Sequence, residues 1–290
     1  MIDEQLKGLG TALVTPFNED GTINYDSLEC LIEYQIAGGA DYLVVLGTTG
    51  EAATMKSAEK RQVRHFLLEK VAGRLPLVLG MGGKCTSAVC EALHAEDLSG
   101  YRAILSVCPY YNKPSQEGLF QHFGAIAEAS PLPVILYNVP GRTGVNLLPE
   151  TVIRIYETHP DKIVGIKEAS GNVEQIEHLI ELVAKRMLVI SGDDGIAAKL
   201  MSAGADGLIS VASNAFPEDF RQIVHANADQ AEKLQRKYAR MVELLFKEGN
   251  PAGIKTVLQQ QGLLQNVLRL PLVPNSAEVQ QQIRNALKDL

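Results

Sequence analysis

Residues 163–168 read Ile163-Val164-Gly165-Ile166-Lys167-Glu168. The first four are apolar or glycine, and a short run of this kind is typical of a strand buried on both faces of a parallel sheet. The chain contains seven more runs of this character: Gly10–Val14, Tyr42–Leu46, Leu77–Gly80, Ala103–Val107, Val134–Tyr137, Leu188–Ser191 and Gly207–Val211. The sequence therefore offers eight candidate strands, and Ile163–Lys167 is the sixth.

Helix-like segments separate these runs. Apolar side chains recur at helical spacing over residues 28–36 and again over residues 63–71. Eight strand–helix units within about 225 residues predict an α/β fold, namely a (β/α)8 TIM barrel. The rival is a doubly wound sheet, which normally carries a GxGxxG turn after its first strand. Residues 15–18 read Thr-Pro-Phe-Asn instead, so the barrel is favoured.

Polar residues before several helical segments are expected to cap them: Ser57, Ser115, and Asn172 in a capping box with Gln175. Beyond the eighth unit the pattern changes, because a long helical stretch follows without a preceding strand. The chain then reads as a helix over Gln230–Glu248, a break at Asn250-Pro251, a second helix to Gln261 and a final helix over Glu278–Leu290. We therefore predict a barrel at residues 1–228, which carries the active site, and a C-terminal helical extension at residues 229–290.

The composition limits the classes of function. The 290 residues are 46% hydrophobic and 21% charged, with a net charge of −7 at pH 7, which argues against a nucleic-acid partner. No apolar stretch reaches membrane-spanning length, and the polar segment Met1–Gln5 resembles neither a signal nor a transit peptide. A cytoplasmic protein without a metal or other cofactor is therefore expected. Four cysteines without metal-site spacing are expected to be reduced and mostly buried: Cys30, Cys85, Cys90 and Cys108.

The sixth candidate strand ends in Lys167, whose side-chain amine is a candidate nucleophile. The active sites of TIM barrels lie at the C-terminal ends of the strands, so this amine is expected in an enclosed, weakly polar pocket. Burial disfavours the ammonium form, and a neutral amine forms a Schiff base with a carbonyl compound. Taken alone, a lysine at a strand end is more often solvated or ion-paired.

Other predicted strand ends carry matching chemistry. Thr48 and Thr49 follow the second strand in a glycine turn, which suits a bound carboxylate, although the hydroxyls can equally cap the turn. Tyr137 ends the fifth strand, and Arg142 follows on a Pro-Gly loop, where a guanidinium can hold a carboxylate or form a surface ion pair. Tyr111 lies after the fourth strand and can serve in packing or in proton transfer. Together they suit Schiff-base chemistry on a small carboxylated carbonyl compound.

Two adjacent carboxylates, Asp193 and Asp194, follow the seventh strand. Neighbouring side chains point in different directions, and no third metal ligand is apparent in the sequence. An N-cap for the following helix is the favoured interpretation.

Four motifs resemble one known family, the dihydrodipicolinate synthases, also called 4-hydroxy-tetrahydrodipicolinate synthases. They belong to the wider group of pyruvate-dependent class I aldolases that includes N-acetylneuraminate lyase. The resemblance runs from about Gly8 to the C-terminal helices with the motifs in the same order. The motifs are Gly47-Thr48-Thr49-Gly50-Glu51, Tyr110-Tyr111-Asn112-Lys113-Pro114, Tyr137-Asn138-Val139-Pro140-Gly141-Arg142-Thr143-Gly144 and Gly165-Ile166-Lys167-Glu168.

The resemblance implies a homotetramer, built as a dimer of dimers, of (β/α)8 barrels with a C-terminal helical extension. It implies a lyase that condenses pyruvate with L-aspartate 4-semialdehyde in the diaminopimelate branch of lysine biosynthesis. Siblings that use another aldehyde, such as N-acetylneuraminate lyase or a 2-keto-3-deoxy sugar acid aldolase, remain the alternative. Arg142 and the Thr48-Thr49 pair favour the synthase over the sialic-acid lyases.

The resemblance also implies a role for each site residue. Lys167 forms the Schiff base, and Tyr137 is the acid and base beside it. Thr48 connects Tyr137 to Tyr111 of a neighbouring subunit in a proton relay. The remaining contacts to substrate come from the threonines for the pyruvate carboxylate, from Arg142 for the semialdehyde carboxylate, and from the backbone carbonyl of Ile209.

One departure from the family pattern concerns feedback. Lysine-inhibited bacterial members typically carry His, Asn and Glu around an allosteric pocket, in which Tyr110 is retained here. The aligned positions hold Ser57, Lys60, Lys84 and Ala88. Because a cationic residue and an absent carboxylate disfavour a lysine ammonium, weak or absent inhibition by L-lysine is expected.

Overall fold

The computed structural model describes residues 3–290, so Met1 and Ile2 of the N-terminal segment lie outside the described residues. Eight parallel strands close into a barrel in chain order, and β1 pairs with both β2 and β8. The strands are β1 Gly8–Ala12, β2 Tyr42–Val45, β3 Leu77–Gly80, β4 Ala103–Val107, β5 Val134–Asn138, β6 Ile163–Glu168, β7 Leu188–Ser191 and β8 Gly207–Ser210. The predicted TIM barrel is confirmed.

Helices alternate with the strands and continue beyond them. Those of the barrel are α1 Tyr25–Ala37, α2 Ser57–Val71, α3 Thr86–Ala95, α4 Gln116–Ala129, the short α5 Pro140–Thr143, α6 Pro149–Thr158, α7 Val173–Val183, α8 Ala197–Ala203 and α9 Pro217–His225. The chain ends with α10 Ala228–Phe246, α11 Ala252–Gln260 and α12 Ala277–Lys288. The boundary proposed at residue 228 stays a prediction. Within residues 3–290, no helix combines the length and apolarity that crossing a bilayer requires.

The core has two layers, as strands buried on both faces require. One layer fills the barrel interior and includes Tyr42, Val78 and Ile135. The other lies between the strands and the helices and continues into α10, α11 and α12. The C-terminal helices therefore share the barrel's own core.

The first strand starts two residues earlier than the predicted Gly10–Val14. Gly8 pairs with Gly207 of β8 and so opens the ladder. A β-carbon at Gly10 would lie 2.3 Å from the ring of Tyr42. Gly10 therefore leaves space for the inward-facing ring of Tyr42. Hydrophobic periodicity alone does not reveal this contact, so it does not predict where β1 begins.

A register shift in β6 sets the direction of Lys167. Val134 is paired with Ile163, but the next residue, Ile135, is paired with Gly165. The shift leaves Val164 without a paired residue on β5, and irregularities of this kind re-aim side chains near active sites. Beyond the shift, Lys167 lies directly beside Tyr137 on β5.

Several local predictions need correction. The N-cap of α2 is Lys56, not Ser57, and Glu59 supports it by accepting the Lys56 N–H at 2.9 Å. Ser115 and Asn172 are N-caps as predicted. The Gln175 side chain, however, donates to Asn146 and Glu168 and does not return to its cap. The cysteines are free, but only Cys108 is buried, because Cys30 and Cys85 lie on outward helix and loop faces and Cys90 is half-buried.

Candidate active site

A cavity of about 510 Å³ opens at the C-terminal ends of the strands. Its lining combines residues from the ends of β2, β5, β6 and β7 with residues of α10 and the segment that follows it. The lining includes Thr48, Thr49, Tyr137, Arg142, Lys167, Gly192, Asp193, Val211, Glu243, Lys247 and Asn250. Most of the residues predicted from the strand ends therefore meet in one space.

Lys167 and Tyr137 form the floor of the cavity. They are 6% and 7% exposed, and they are direct neighbours on β6 and β5. The Lys167 Nζ lies 4.4 Å from the centre of the Tyr137 ring. The amine is thus enclosed, faces the cavity and has a phenol beside it.

Glu168 fixes the strand end from the opposite face of the sheet. Its carboxylate accepts hydrogen bonds from the side-chain amide of Asn138 at 2.9 Å and from the Ser170 N–H at 2.7 Å. Burial raises the pKa of Glu168, and these hydrogen bonds lower it in part. Asn138 and Glu168 are also direct neighbours in the ladder. The bonds hold the ends of β5 and β6, and hence Tyr137 and Lys167, in fixed relative positions.

Asn250 connects the threonine turn after β2 with the loop that carries Arg142. Its side-chain Nδ2 donates to Thr49 Oγ1 at 2.9 Å, and its backbone carbonyl accepts from Arg142 Nη2 at 3.3 Å. Thr49 is buried, whereas Thr48 and Arg142 are exposed toward the cavity and its mouth. Asn250, in the segment between α10 and α11, therefore holds both the threonine turn and the arginine loop.

A buried ion pair supports the threonine turn from below. Lys255 Nζ lies 2.5 Å from Glu51 Oε1, and both side chains are fully buried. Lys255 also donates to the Val267 carbonyl, and Glu51 accepts the Arg269 N–H. Burial lowers the pKa of Lys255 to about 8, against the opposing effect of Glu51. The pair joins α11 to the end of the Gly47–Glu51 turn.

The two aspartates after β7 do not cap the next helix, so that prediction is wrong. The N-cap of α8 is Ile196. Asp194 is buried, and its Oδ2 accepts the N–H groups of Val211 and Ala212 at 3.0 Å each. It therefore ties β7 to the end of β8, and burial raises its pKa.

Comparisons with known proteins identify the family of the chain. The model of the dihydrodipicolinate synthetase family matches residues 5–290. The chain belongs to this family. A relative from Parabacteroides distasonis, named 4-hydroxy-tetrahydrodipicolinate synthase, is 48% identical over 294 aligned positions, which cover 100% of this chain and 99% of the relative.

Solved structures of family members superpose closely on this fold. The chloride-inhibited dihydrodipicolinate synthase from Acinetobacter baumannii, complexed with pyruvate, is 43% identical with a TM-score of 0.94, and 98% of each chain is covered. The synthase from Cyanidioschyzon merolae with lysine bound is 36% identical with a TM-score of 0.94, and 99% of each chain is covered. The family and the barrel with its C-terminal helices are therefore established.

Two predicted site residues lie outside the cavity lining. Tyr111 is 86% exposed on the loop after β4, and its φ of 77° is left-handed. Ile209 is buried in the barrel interior, and Val211, two residues later, lines the cavity in its place. The roles given to Tyr111 and Ile209 stay predictions.

The positions linked to feedback lie away from the cavity. Ser57 and Lys60 are in the first turns of α2, Ala88 is in α3 and Lys84 is exposed between β3 and α3. Burial lowers the pKa of Lys60. Weak feedback by lysine remains a prediction.

Sequence reasoning missed Asn250, Glu51 with Lys255, and the cavity position of Asp193. Asn250 was visible only as part of a helix break. Glu51 and Lys255 are 204 residues apart, and no local pattern reveals that they meet. Among residues 3–290, no group of three or more His, Cys, Asp or Glu side chains is arranged to hold a metal ion.

Proposed function

We propose that this chain is a lyase that condenses pyruvate with L-aspartate 4-semialdehyde to give 4-hydroxy-tetrahydrodipicolinate. The observation that carries the proposal is the enclosed Lys167 amine beside Tyr137 at the floor of the strand-end cavity. The names of the relatives, at 44–48% identity over nearly their whole length, support the same reaction.

In this proposal, Lys167 attacks the keto carbon of pyruvate, and water leaves as the Schiff base forms. The protonated imine withdraws electrons, so the methyl group of pyruvate loses a proton and becomes an enamine nucleophile. Tyr137, against the amine, is positioned to accept and return protons, a contribution of about 10²–10⁴-fold. Thr48 and Thr49 would hold the pyruvate carboxylate, which fixes the enamine in attack geometry.

The enamine then forms a carbon–carbon bond with the aldehyde carbon of the second substrate, whose oxygen takes a proton and becomes the hydroxyl group. Arg142 would bind the carboxylate of this substrate by bidentate hydrogen bonds. For ring closure, the α-amino group loses a proton and attacks the imine carbon. The bond from that carbon to Lys167 breaks, and the free amine is regenerated with the cyclic imine as product.

The assembly and the relay belong to the same proposal. The exposure and left-handed backbone of Tyr111 suit a residue that reaches into a neighbouring subunit's cavity, with Thr48 between it and Tyr137. A homotetramer, built as a dimer of dimers, would supply that neighbour. The Ile209 carbonyl as a pyruvate contact and the cytoplasmic location stay predictions.

The covalent step is tested by borohydride reduction in the presence of pyruvate, followed by peptide mass mapping. Wild-type protein should carry reduced pyruvate on the peptide that contains Lys167, and Lys167→Ala should carry none. Lys162→Ala is the matched control, because Lys162 lies just before β6 at the opposite end of the strand and donates to the Ser130 carbonyl. Absence of label on the wild-type peptide would refute the proposed chemistry.

A further inference from the structure

The threonine turn, residues 47–51, begins where the strand before it stops alternating. On β2, Val44 faces the barrel interior and Val45 faces the helices. Continued alternation would direct Leu46 inward, but Leu46 also packs in the outer layer. Its φ of 54° is left-handed, a backbone state that costs energy in a non-glycine residue. The chain therefore leaves strand geometry at Leu46, immediately before the segment that carries the two threonines.

The turn presents two consecutive backbone N–H groups that no protein acceptor uses. Among residues 3–290, neither the Thr48 N–H nor the Thr49 N–H donates a hydrogen bond, although Thr49 is only 3% exposed. A buried N–H group without a partner costs free energy unless a ligand or solvent accepts from it. Consecutive free N–H groups in a turn suit an anion. The exact position of this turn therefore decides how well a carboxylate is bound.

Gly80, the last residue of β3, leaves space for the turn on one side. A β-carbon at Gly80 would lie 2.4 Å from the Leu46 carbonyl oxygen and 2.9 Å from the Gly47 nitrogen. Both are backbone atoms, so the turn itself would have to move, by about 1 Å to restore an ordinary contact with that oxygen. The φ of Gly80 is not left-handed. The close approach of the turn, and not the local backbone conformation, therefore requires glycine here.

Thr15, in the segment that follows β1, anchors the turn on the other side. Its hydroxyl donates to the Gly50 carbonyl at 2.8 Å, and Thr15 is 3% exposed. Because the bond is buried, water does not readily replace it. Gly80 and Thr15 both lie outside the cavity lining. The turn after β2 is thus held between the ends of the two strands that flank β2 in the barrel.

We propose that Gly80 and Thr15 are positioning residues that set the affinity of the site for the carboxylate of the keto acid. This inference rests on the proposed function, in which the threonine turn binds pyruvate. Gly80 leaves room for the Leu46 carbonyl, and Thr15 anchors the Gly50 carbonyl. A turn that is fixed before the substrate arrives loses no affinity to its own ordering, and it holds the bound keto acid in the geometry that the reaction requires.

Thr15→Val and Thr15→Ser form the first matched pair. Valine has nearly the shape of threonine without the hydroxyl, whereas serine retains the donor to Gly50. Thr15→Val should raise the KM for pyruvate about 5-fold or more, and Thr15→Ser should resemble the wild type. Both kcat and the KM for the aldehyde should change less than about 2-fold, because the turn binds only pyruvate in the proposed function. Steady-state kinetics with each substrate varied in turn measures the three constants.

Gly80→Ala and Gly83→Ala form the second matched pair. A β-carbon at Gly83 would meet only the tip of the Val89 side chain, at 3.3 Å, so Gly83→Ala should keep the wild-type constants. Gly80→Ala displaces the turn and should raise the KM for pyruvate about 10-fold or more, with the same selectivity over the aldehyde. The Thr15 pair decides the question by itself if Gly80→Ala does not fold.

Two outcomes would overturn the inference. Equal rises in the KM values for pyruvate and for the aldehyde would show that the residue only stabilises the fold. An unchanged KM for pyruvate in Thr15→Val or in Gly80→Ala would refute the positioning role of that residue.

Borohydride trapping separates this inference from the proposed function. At high pyruvate, Thr15→Val and Gly80→Ala should still be labelled on the peptide that contains Lys167. The pyruvate concentration that gives half-maximal labelling should rise with the KM. Wild-type protein without label would refute the proposed function, whereas labelled variants with an unchanged half-maximal concentration would refute only the positioning role.

Discussion

Asn250 shows how a single side chain outside the barrel can organise a strand-end site. The residue is buried. Its side chain forms a hydrogen bond with Thr49, and its backbone carbonyl forms one with Arg142. We expect Asn250→Ala to keep the fold but to free the Thr49 hydroxyl, so that the carboxylate of pyruvate is held less well. Loss of one such hydrogen bond costs about 1 kcal/mol, or a several-fold rise in the KM for pyruvate. Steady-state kinetics at saturating aldehyde would measure the KM for pyruvate in the variant and in the wild type.

The Arg142 contact provides an internal control for this variant. Because it uses the Asn250 backbone carbonyl, Asn250→Ala retains it, and the KM for the aldehyde should rise less than the KM for pyruvate. Gln261→Ala removes a comparable amide hydrogen bond, to the Ala215 carbonyl, at a second pocket that Thr49 does not line, and should leave both constants unchanged. An equal rise in both constants for Asn250→Ala would indicate a general loosening of the loop.

The site residues that could be predicted from the sequence are those that end strands. Lys167, Tyr137 and the threonine pair each follow an apolar run, and closure of the barrel brings all such ends together whatever their sequence separation. Asp193 also follows an apolar run, but the sequence favoured a helix cap there, because the direction of each aspartate depends on which of the two carboxylates binds the β8 backbone. Asn250 follows a helix, and its position is decided by how α10 and α11 pack.

At the scale of elements, the Glu51–Lys255 pair holds the C-terminal helices to the turn after β2. Removing one partner of a fully buried pair leaves an uncompensated charge and costs about 3–5 kcal/mol, whereas an apolar replacement of both is often neutral. We therefore expect Lys255→Met to lower the melting temperature by about 10 °C. The double variant Glu51→Met/Lys255→Met should recover most of that loss in the same thermal unfolding experiment.

A second ion pair joins nearly the same segments and serves as the control. Arg269 binds Glu59 on α2, and both side chains are partly exposed, at 16% and 25%. Because this pair is partly solvated, Glu59→Gln should lower the free energy of unfolding by only about 1 kcal/mol. A Lys255→Met variant no less stable than Glu59→Gln would contradict a dominant role for the buried pair. Such pairings explain why element order was predictable while the contacts of the tail were not.

At the scale of the whole molecule, Tyr111 is the tyrosine of the predicted site that lies outside the cavity lining of its own chain. Tyr111 is 86% exposed and left-handed, a backbone state that costs energy in a non-glycine residue. If it completes a neighbour's site, Tyr111→Phe should lower kcat by roughly 10²-fold while imine trapping on Lys167 persists. Turnover and borohydride labelling of the same preparation would measure both effects.

Subunit mixing then distinguishes a shared site from a local one. A Tyr111→Phe subunit retains Lys167, and a Lys167→Ala subunit retains Tyr111, so each mixed pair contains one complete site. Random reassortment in closed two-fold pairs should restore about a quarter of wild-type activity. Gel filtration would verify that the mixture has the assembly of the wild type. Activity no higher than the sum of the two separate variants would mean that Tyr111 serves its own subunit or none, and the proposed relay through Thr48 would lose its outer member.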